Sequence, residues 1–492
     1  MFNEDLSSLN GSIKNGLNQS DSIMKPLQNV LITISDIGFS SMSSNTSGGM
    51  LRYFDPSVHL MINNNVFYNG YSKEQGGSLF FQTKSKISIL NCSFQSNNAT
   101  LDGGAAFFDV DGGFEIKNST FFNSSSSRGG TLFIMTDEAN ISESWFENSN
   151  SSSDGGSIYF SKDNGLMYSI YNCFFGTTSS LNDGGAIFIS QIGHYSSMIV
   201  ECTFYSCSSS SNGGAVYITS GSGGITVNIF RVCFCKCVTY SINGAGVAIY
   251  LVSEAVTHLI SVKETSIGQC GLIGKGIGTI HTYRGQQYFA ANNISNCESK
   301  SGVAGNHLTY YSSSFSFINI IRCNSTENVY FKTEAQQSVD FLYCNILNNN
   351  ATGYIMGIWA YQDQFSLKYG IFIENIKNLI RLYYQNQKMK NCYIVQENPN
   401  LGMSQDLCYI TASTAILTPT YQITHYSTFF CKTPNDLGSL EIPCQTLGIQ
   451  DCQSIPPIPS TCYLPSNNGE LNLISTSRVI HQLLISGFVI SF

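Results

Sequence analysis

Charge is the scarcest property of this 492-residue chain: Asp, Glu, Lys and Arg make up 11% of it, against about 25% in an average soluble protein. So little charge excludes charge-laced surface helices and coiled coils. The formal net charge of −8 leaves no basic face to neutralise phosphates, so neither nucleic acid nor an anionic membrane surface is expected as a partner. Ten prolines are too few for a polyproline rod. No GxSxG, HExxH or P-loop occurs. The opening MFNEDLSSLNGSIKNG has neither the basic nor the apolar region of a secretory signal. At 42% hydrophobic the chain can still bury a large core, which excludes wholesale disorder.

What is abundant points elsewhere. Seventeen cysteines, an odd number, suit an oxidising compartment and leave at least one thiol unpaired. Twelve N-x-S/T sequons, at Asn10, Asn18, Asn45, Asn91, Asn98, Asn118, Asn123, Asn140, Asn150, Asn293, Asn324 and Asn350, lean the same way, although an Asn- and Ser-rich chain scatters such triplets.

The dominant signal is an internal repeat. Glycine pairs open successive segments at Gly76 and Gly77, Gly103 and Gly104, Gly129 and Gly130, Gly155 and Gly156, Gly184 and Gly185, and Gly213 and Gly214, with GAGVAIY at Gly244 as a variant and Gly48–Gly49 as a looser start. An apolar anchor lies eight to ten residues upstream of each: Phe39, Phe67, Phe94, Phe121, Phe146, Phe175, Phe204 and Phe234. From glycine to the next anchor the distance varies between 17 and 21 residues. One arc is thus nearly fixed in length and the other accepts insertions, as in a solenoid with one constant corner. Past Phe234 the glycine pair fades, but the anchor rhythm continues through Ile267, Ile294, Ile320, Ile346, Ile373 and Ile394.

A period near 27 residues, built from Phe, Ile, Val, Tyr, Ser and Asn with a glycine pair, is poor helix material. Short β-branched and aromatic runs bounded by Gly, Asn, Asp and Ser read as strands and turns. A WD-type propeller needs about 40 residues per unit. The expectation is an all-β, right-handed parallel β-helix of about fourteen coils, rising ~4.8 Å per coil. Residues 1–29 are expected as an N-terminal cap or flexible segment, 30–398 as the coils, 399–478 as a Cys- and Pro-containing cap or stalk, and 479–492 as a short apolar tail. Each glycine pair permits φ > 0 at a sharp corner. Apolar residues follow each pair on both faces, so alternation leaves two assignments: the Leu79, Ile158, Ile187 and Val216 row inside with the Phe80, Tyr159, Phe188 and Tyr217 row outside as an aromatic ladder, which is the expectation, or the reverse.

This pairing of GGA-type corners with upstream segments such as NCSF (to Phe94), NSTF (to Phe121), NCFF (to Phe175) and ECTF (to Phe204) resembles the polymorphic outer-membrane protein repeat of chlamydial and trichomonad surface proteins. The resemblance covers residues 36 to 250 by motif and 260 to 395 by anchor spacing. It implies a right-handed parallel β-helix displayed at the cell surface, often credited with adhesion. A bacterial member would add a translocating β-barrel, for which too few residues follow 395, so the trichomonad type fits better. There a membrane helix typically follows the coils; the 14 apolar-rich residues 479–492 are a truncated anchor or a buried cap, being short of the ~20 a span needs.

Candidate sites are few. Asp102, Asp154 and Asp183 precede glycine pairs; in consecutive coils Asp154 and Asp183 either share a Ca²⁺ or act as Asx turns on their own corners. DVDGG from Asp109 resembles a fragment of a Ca²⁺ loop. Cysteines fall two residues before an anchor (Cys92, Cys173, Cys202, Cys344, Cys392) or three after one (Cys207, Cys237, Cys270, Cys297, Cys323). Neighbouring rungs, as Cys173 with Cys202 or Cys207, Cys237, Cys270 and Cys297 among themselves, either form disulfides or stay as buried thiols. Cys233, Cys235 and Cys237 alternate, so on a strand they share a face, but the two-residue spacing of a zinc knuckle is absent. Asp109, Asp111, Glu115, Asp137 and Glu138 do not recur in one register, and His194, His258, His281 and His307 fall in separate coils. The expected protein is therefore non-catalytic, without cofactor, an extracellular or cell-surface adhesin or coat contacting host cells, matrix or glycans, with a polysaccharide lyase or hydrolase and an incomplete gene product as alternatives.

Overall fold

The computed structural model describes most of residues 31–411, short loop segments apart, together with residues 9–10 and 14–15. These residues form an all-β, right-handed parallel β-helix, with no helical element among them. One coil shows the plan. After the Gly76 corner come Leu79–Thr83, Ile87–Leu90, Ser93–Gln95 and Asn98–Ala99. Each strand pairs in parallel with its counterpart in the next coil: Leu79 with Ala106, Ile87 with Phe114, Phe94 with Phe121, Asn98 with Ser125. The coils amount to about twelve turns, slightly fewer than the fourteen expected. Anchors count the rungs of one ladder, whereas a turn needs every side, and the ladder of the glycine corners ends at Asn306–Leu308.

The anchors form a continuous buried column. Phe67, Phe94, Phe121 and Phe146 are fully buried, with rings stacked 4.6–4.8 Å apart and nearly parallel. The column runs on through Phe234, Ile267, Ile294, Ile320 and Ile346. Its next member is Phe372, not the expected Ile373: Ile346 pairs with Phe372 and Phe372 with Ile394. Adjacent strand residues face opposite sides, so Ile373 points away from the core.

Two left-handed corners bracket each anchor strand. Around Phe94 they are Asn91 (φ 52°) and Ser96 (φ 55°). Asn adopts this conformation more readily than other side chains, which explains the N-x-x-F pattern. The same geometry recurs without Asn, at Glu201, Arg231 and Tyr343, where sequence alone gives no sign of it.

The glycine pair does two different jobs. Gly76 has φ 65°, as expected for a sharp corner. Gly77 has an ordinary backbone, but a Cβ there would lie 2.1 Å from the carbonyl oxygen of Gly104 in the next coil. It is required by the approach of neighbouring coils. In the GAGVAIY coil the corner is Gly246 (φ 66°), not Gly244, because Val216 pairs with Ile249. The residues after each pair, among them Ser78, Ala105, Thr131 and Ala186, are fully buried, and small because they stack there.

Sidedness of the corner strand is as expected. Leu79, Ile158, Ile187 and Val216 belong to the main core. Phe80, Phe107, Phe133, Tyr159, Phe188, Tyr217, Tyr250 and His281 stack outside it at 4.7–5.1 Å. Burial pushes the His281 imidazole down to about 4, so the last ring of this ladder is neutral at physiological pH.

Met1–Cys452 is one compact unit and Gln453–Phe492 a second. The tail expected over 399–478 lies outside the described residues except for Ser404–Asp406 and Tyr409–Thr411, which continue the ladders; the expected apolar tail 479–492 lies wholly outside them. Most of the expected N-terminal segment 1–29 is also outside, apart from Leu9–Asn10 and Lys14–Asn15, which pair with Ile34–Ser35 and Phe39–Ser40. No helix among the described residues is long and apolar enough to cross a membrane.

Gly77→Ala is expected to cost at least ~3 kcal/mol, the top of the overpacking range, because the atom it meets is backbone. Gly274→Ala is the control: φ is 74° but the added Cβ meets nothing within 4 Å, so the cost is only the ~1–2 kcal/mol of a left-handed residue. Equal denaturation midpoints for the two variants would contradict this assignment.

Candidate functional site

The acids beside the glycine corners are brought together, but as structural acceptors. Asp154 Oδ1 accepts the Asp183 main-chain N–H (3.2 Å), Asp183 Oδ1 accepts the Asn212 main-chain N–H (2.8 Å), and Asn212 Oδ1 accepts the Ala245 main-chain N–H (2.8 Å). Each side chain therefore caps the next coil, where an Asx turn would have capped its own. Asp102, two rungs before Asp154, is buried and held by Arg128 through a two-pronged contact at 2.8 and 2.9 Å. The Arg128 guanidinium also lies over the outer aromatic ladder, 4.9 Å from the Phe133 ring centre. No group of three or more potential metal ligands occurs among the described residues.

One acidic pair was missed in the sequence. Val110 pairs with Thr136, so the following Asp111 and Asp137 are equivalent and adjacent, contrary to the expected absence of a shared register. Lys162 binds both, at 2.6 and 3.2 Å. Burial opposes the charge on Lys162, yet its two carboxylate partners hold it above the ordinary lysine range. Asp109 accepts from Gln82 (2.9 Å), and Glu115 pairs with Lys86 (2.8 Å). Length variation in the loops hides this register: only the strand pairing reveals that Asp111 and Asp137 share it. His281 and His307 are buried in the coils and hydrogen-bonded to Asn306 and Thr282.

The cysteine registers are two columns inside the corners. Cys173, Cys202, Cys207, Cys237, Cys270 and Cys297 are free, buried thiols. Cys207, Cys237, Cys270 and Cys297 point their Sγ at the main-chain carbonyls of Phe175, Phe204, Phe234 and Ile267, at 3.5–3.7 Å. In other coils the same position is Asn97, Asn349 or Asn375, whose Nδ2 donates to the corresponding carbonyls of Phe67, Ile320 and Ile346. The other column behaves alike: Cys92, Cys173 and Cys202 face Ile62, Ile141 and Ile170, and Asn65 donates to Ile34. Cysteine here is a small, weak donor standing where other coils use asparagine. Burial pushes the Cys92 and Cys344 thiols up to about 12, which makes them poor nucleophiles. Cys237 does not share a face with Cys233 and Cys235, because the left-handed Lys236 turns it into the core.

The outer face of the anchor ladder carries an accessible pair of stacked aromatic rings. Trp145 and Phe174, paired across neighbouring coils, stack with ring centres 3.8 Å apart, and Trp145 remains 38% exposed. Its indole N–H donates to Glu147 (2.9 Å), two residues further along the same strand, which holds the ring in place. Thr120, Ser93 and Thr203 extend the row with hydroxyls. Of the sequon asparagines, Asn91, Asn118 and Asn123 occupy left-handed corners, a structural reason for Asn there, and Asn293 is buried.

Desolvation raises the Asp183 carboxyl above its ordinary 3.8, against the hydrogen bonds it receives from Asn212. The folded state therefore holds this proton more tightly than the unfolded state. No penalty exists below pH 3.8, and stability falls as pH rises through the shifted value. Asp183→Asn keeps an oxygen for the Asn212 N–H and is expected to raise Tm at pH 7 by roughly 1–2 °C, the effect of a fraction of a kcal/mol in a large chain. The gain should vanish at pH 3 in thermal melts; a gain of equal size at both pH values would show that ionisation is not its source.

No protein-family model matches the chain, no curated protein matches it, and no solved structure matches it.

Proposed function

We propose that this β-helix is a non-catalytic surface protein of the polymorphic outer-membrane repeat type, acting in adhesion or as a coat, and that glycans are the ligand class its exterior suits best. The Trp145–Phe174 platform carries this reading. It is a flat aromatic surface flanked by hydroxyl rows on a rigid sheet, the combination that stacks on sugar rings and hydrogen-bonds their edges. Low charge fits such recognition, which needs little electrostatic steering. Host-cell or matrix glycans are the proposed partners and the cell surface or extracellular space the proposed location. The anchor-and-corner repeat supports the family.

The polysaccharide-active alternative draws on one observation, the adjacent Asp111 and Asp137. Acid–base chemistry on a glycosidic bond needs one carboxyl free to donate and another free to attack or to activate water. Here both are engaged by Lys162, and the acids of the corner row hold main-chain N–H groups, which favours binding over turnover.

A glycan array and a host-cell binding assay with the full chain test the proposal. Trp145→Ala is expected to weaken binding about fivefold or more, in line with ~1–3 kcal/mol for stacking on an aromatic face, with Tm changed by no more than a surface substitution produces. Unaltered binding by Trp145→Ala, or depolymerisation of a polysaccharide that Asp111→Asn abolishes, would overturn it.

A further inference from the structure

Two side-chain columns change character at the same coils. On the inward side of the corner strand, the column of Phe160, Ile189, Ile218 and Leu251, all in the main core, continues as Thr282 and His307. On the outward side the aromatic ladder passes from Tyr250 to His281, and the row ends at Asn306. One coil before His281, His258 takes the place of Tyr195 and Ile225, just ahead of Leu259–Lys263. All three histidines are buried. Apolar and phenolic side chains fill these places in the preceding coils, so stacking does not call for imidazole. What imidazole adds is a proton site near neutrality.

The partners of the three rings hold them uncharged. His258 Nδ1 accepts the Ile225 main-chain N–H (2.9 Å), and His281 Nδ1 accepts from Asn306 Nδ2 (3.0 Å). A proton on either nitrogen sets a donor against a donor. Thr282 donates to Gln287 Oε1 (2.8 Å) and meets His307 Nδ1 at 2.7 Å, and the His307 ring stands edge-on to Phe289 and Phe315. The titratable and charged groups packed around the rings are Tyr250 against His281, His281 toward His307, and Tyr283 with Arg284 at the turn beside His258. Burial raises the Tyr250 phenol, so it stays neutral in acid. Burial pushes His307 down to about 3, with the neighbouring His281 adding to the effect, and no carboxylate among the described residues offsets the shift of either ring. The ordinary value is 6.5, so the unfolded chain takes up these protons first. Stability is complete above pH 6.5 and falls below it by about tenfold per histidine per pH unit, roughly 30-fold each at pH 5. We propose that the coils carrying His258, His281 and His307 are an acid-opened joint of the solenoid, which separates near pH 5 while the rungs from Leu60 to Cys235 stay closed. Those earlier rungs hold no buried histidine among the described residues. The joint operates whatever the exterior binds.

Hydrogen exchange of the full chain, followed by mass spectrometry at pH 7.5 and pH 5.0 and corrected for the intrinsic exchange rate, tests the joint. Amides of Ile249–Ser253, Ile280–Tyr283 and Asn306–Leu308 are expected to lose protection at pH 5.0 by about 30-fold or more beyond any loss in Leu79–Thr83 and Ile187–Gln191. Equal loss in the two regions, or no loss in either, overturns the proposal. A variant tests the cause: His258→Asn keeps an acceptor for the Ile225 N–H, while His281→Tyr and His307→Leu continue the columns of Tyr250 and Leu251. The three together are expected to abolish the difference between regions, and opening at pH 5.0 as large as in the unsubstituted chain overturns the assignment to histidine. His281→Tyr alone, which only extends the aromatic ladder, is expected to recover about 30-fold of the protection and serves as the test where the triple variant does not fold; no recovery overturns its part in the joint.

Discussion

Parallel in-register pairing sets each residue about 4.8 Å from its counterpart in the next coil, and nearly every compositional oddity of this chain follows from that spacing. Like must tolerate like. Phenylalanine does so by stacking, as in the column from Phe67 to Phe234. Ser, Thr and Asn do so by hydrogen bonding along the ladder, as Asn118 to Asn91 at 2.7 Å. Repeated like charges would repel at this distance; several charged rungs alternate in sign, with Arg231 between Glu201 and Glu264 and Arg128 paired with Asp102, while the adjacent Asp111 and Asp137 share Lys162.

The same spacing makes the corners the most demanding sites. A coil must turn sharply without leaving its main-chain groups unpaired. The first glycine and the left-handed residues supply the turn, while the second glycine lets neighbouring backbones approach. The interior columns of Asn and Cys satisfy carbonyls that the turn leaves exposed within the core. The cysteine content, which suggests a disulfide framework on first reading, is therefore largely internal donor chemistry; among the described residues Cys233 alone is bonded.

Because the scaffold occupies its acids and thiols in this way, the chemistry left for function is at the surface. One outer face offers aromatic and hydroxyl groups in its first half and is buried in its second. That division confines the proposed recognition surface to rungs such as those of Trp145 and Phe174, on strands held at both edges by neighbouring coils. A site placed on such strands has little freedom to rearrange, so selectivity would come from fixed spacing between rungs.

The amino-acid pattern by itself determined the all-β solenoid, the anchor column to Phe234 and the glycine corners, because these features recur and recurrence reveals register; with apolar residues on both faces of the corner strand, the side on which Phe80 and Tyr217 lie was decided by the tertiary structure. It failed where recurrence lapses. Phe372 and Ile373 are both apolar, and only pairing with Ile346 chooses between them. Gly244 and Gly246 both fit a corner until Val216 is matched to Ile249. Asp111 and Asp137 lie in loops of different length, and Lys236 adopts a left-handed turn that nothing in its side chain announces. Those decisions belonged to the tertiary structure: which residue stacks on which is set by hydrogen bonds between coils some 27 residues apart in sequence, a non-local constraint that periodicity predicts on average and individual rungs are free to offset.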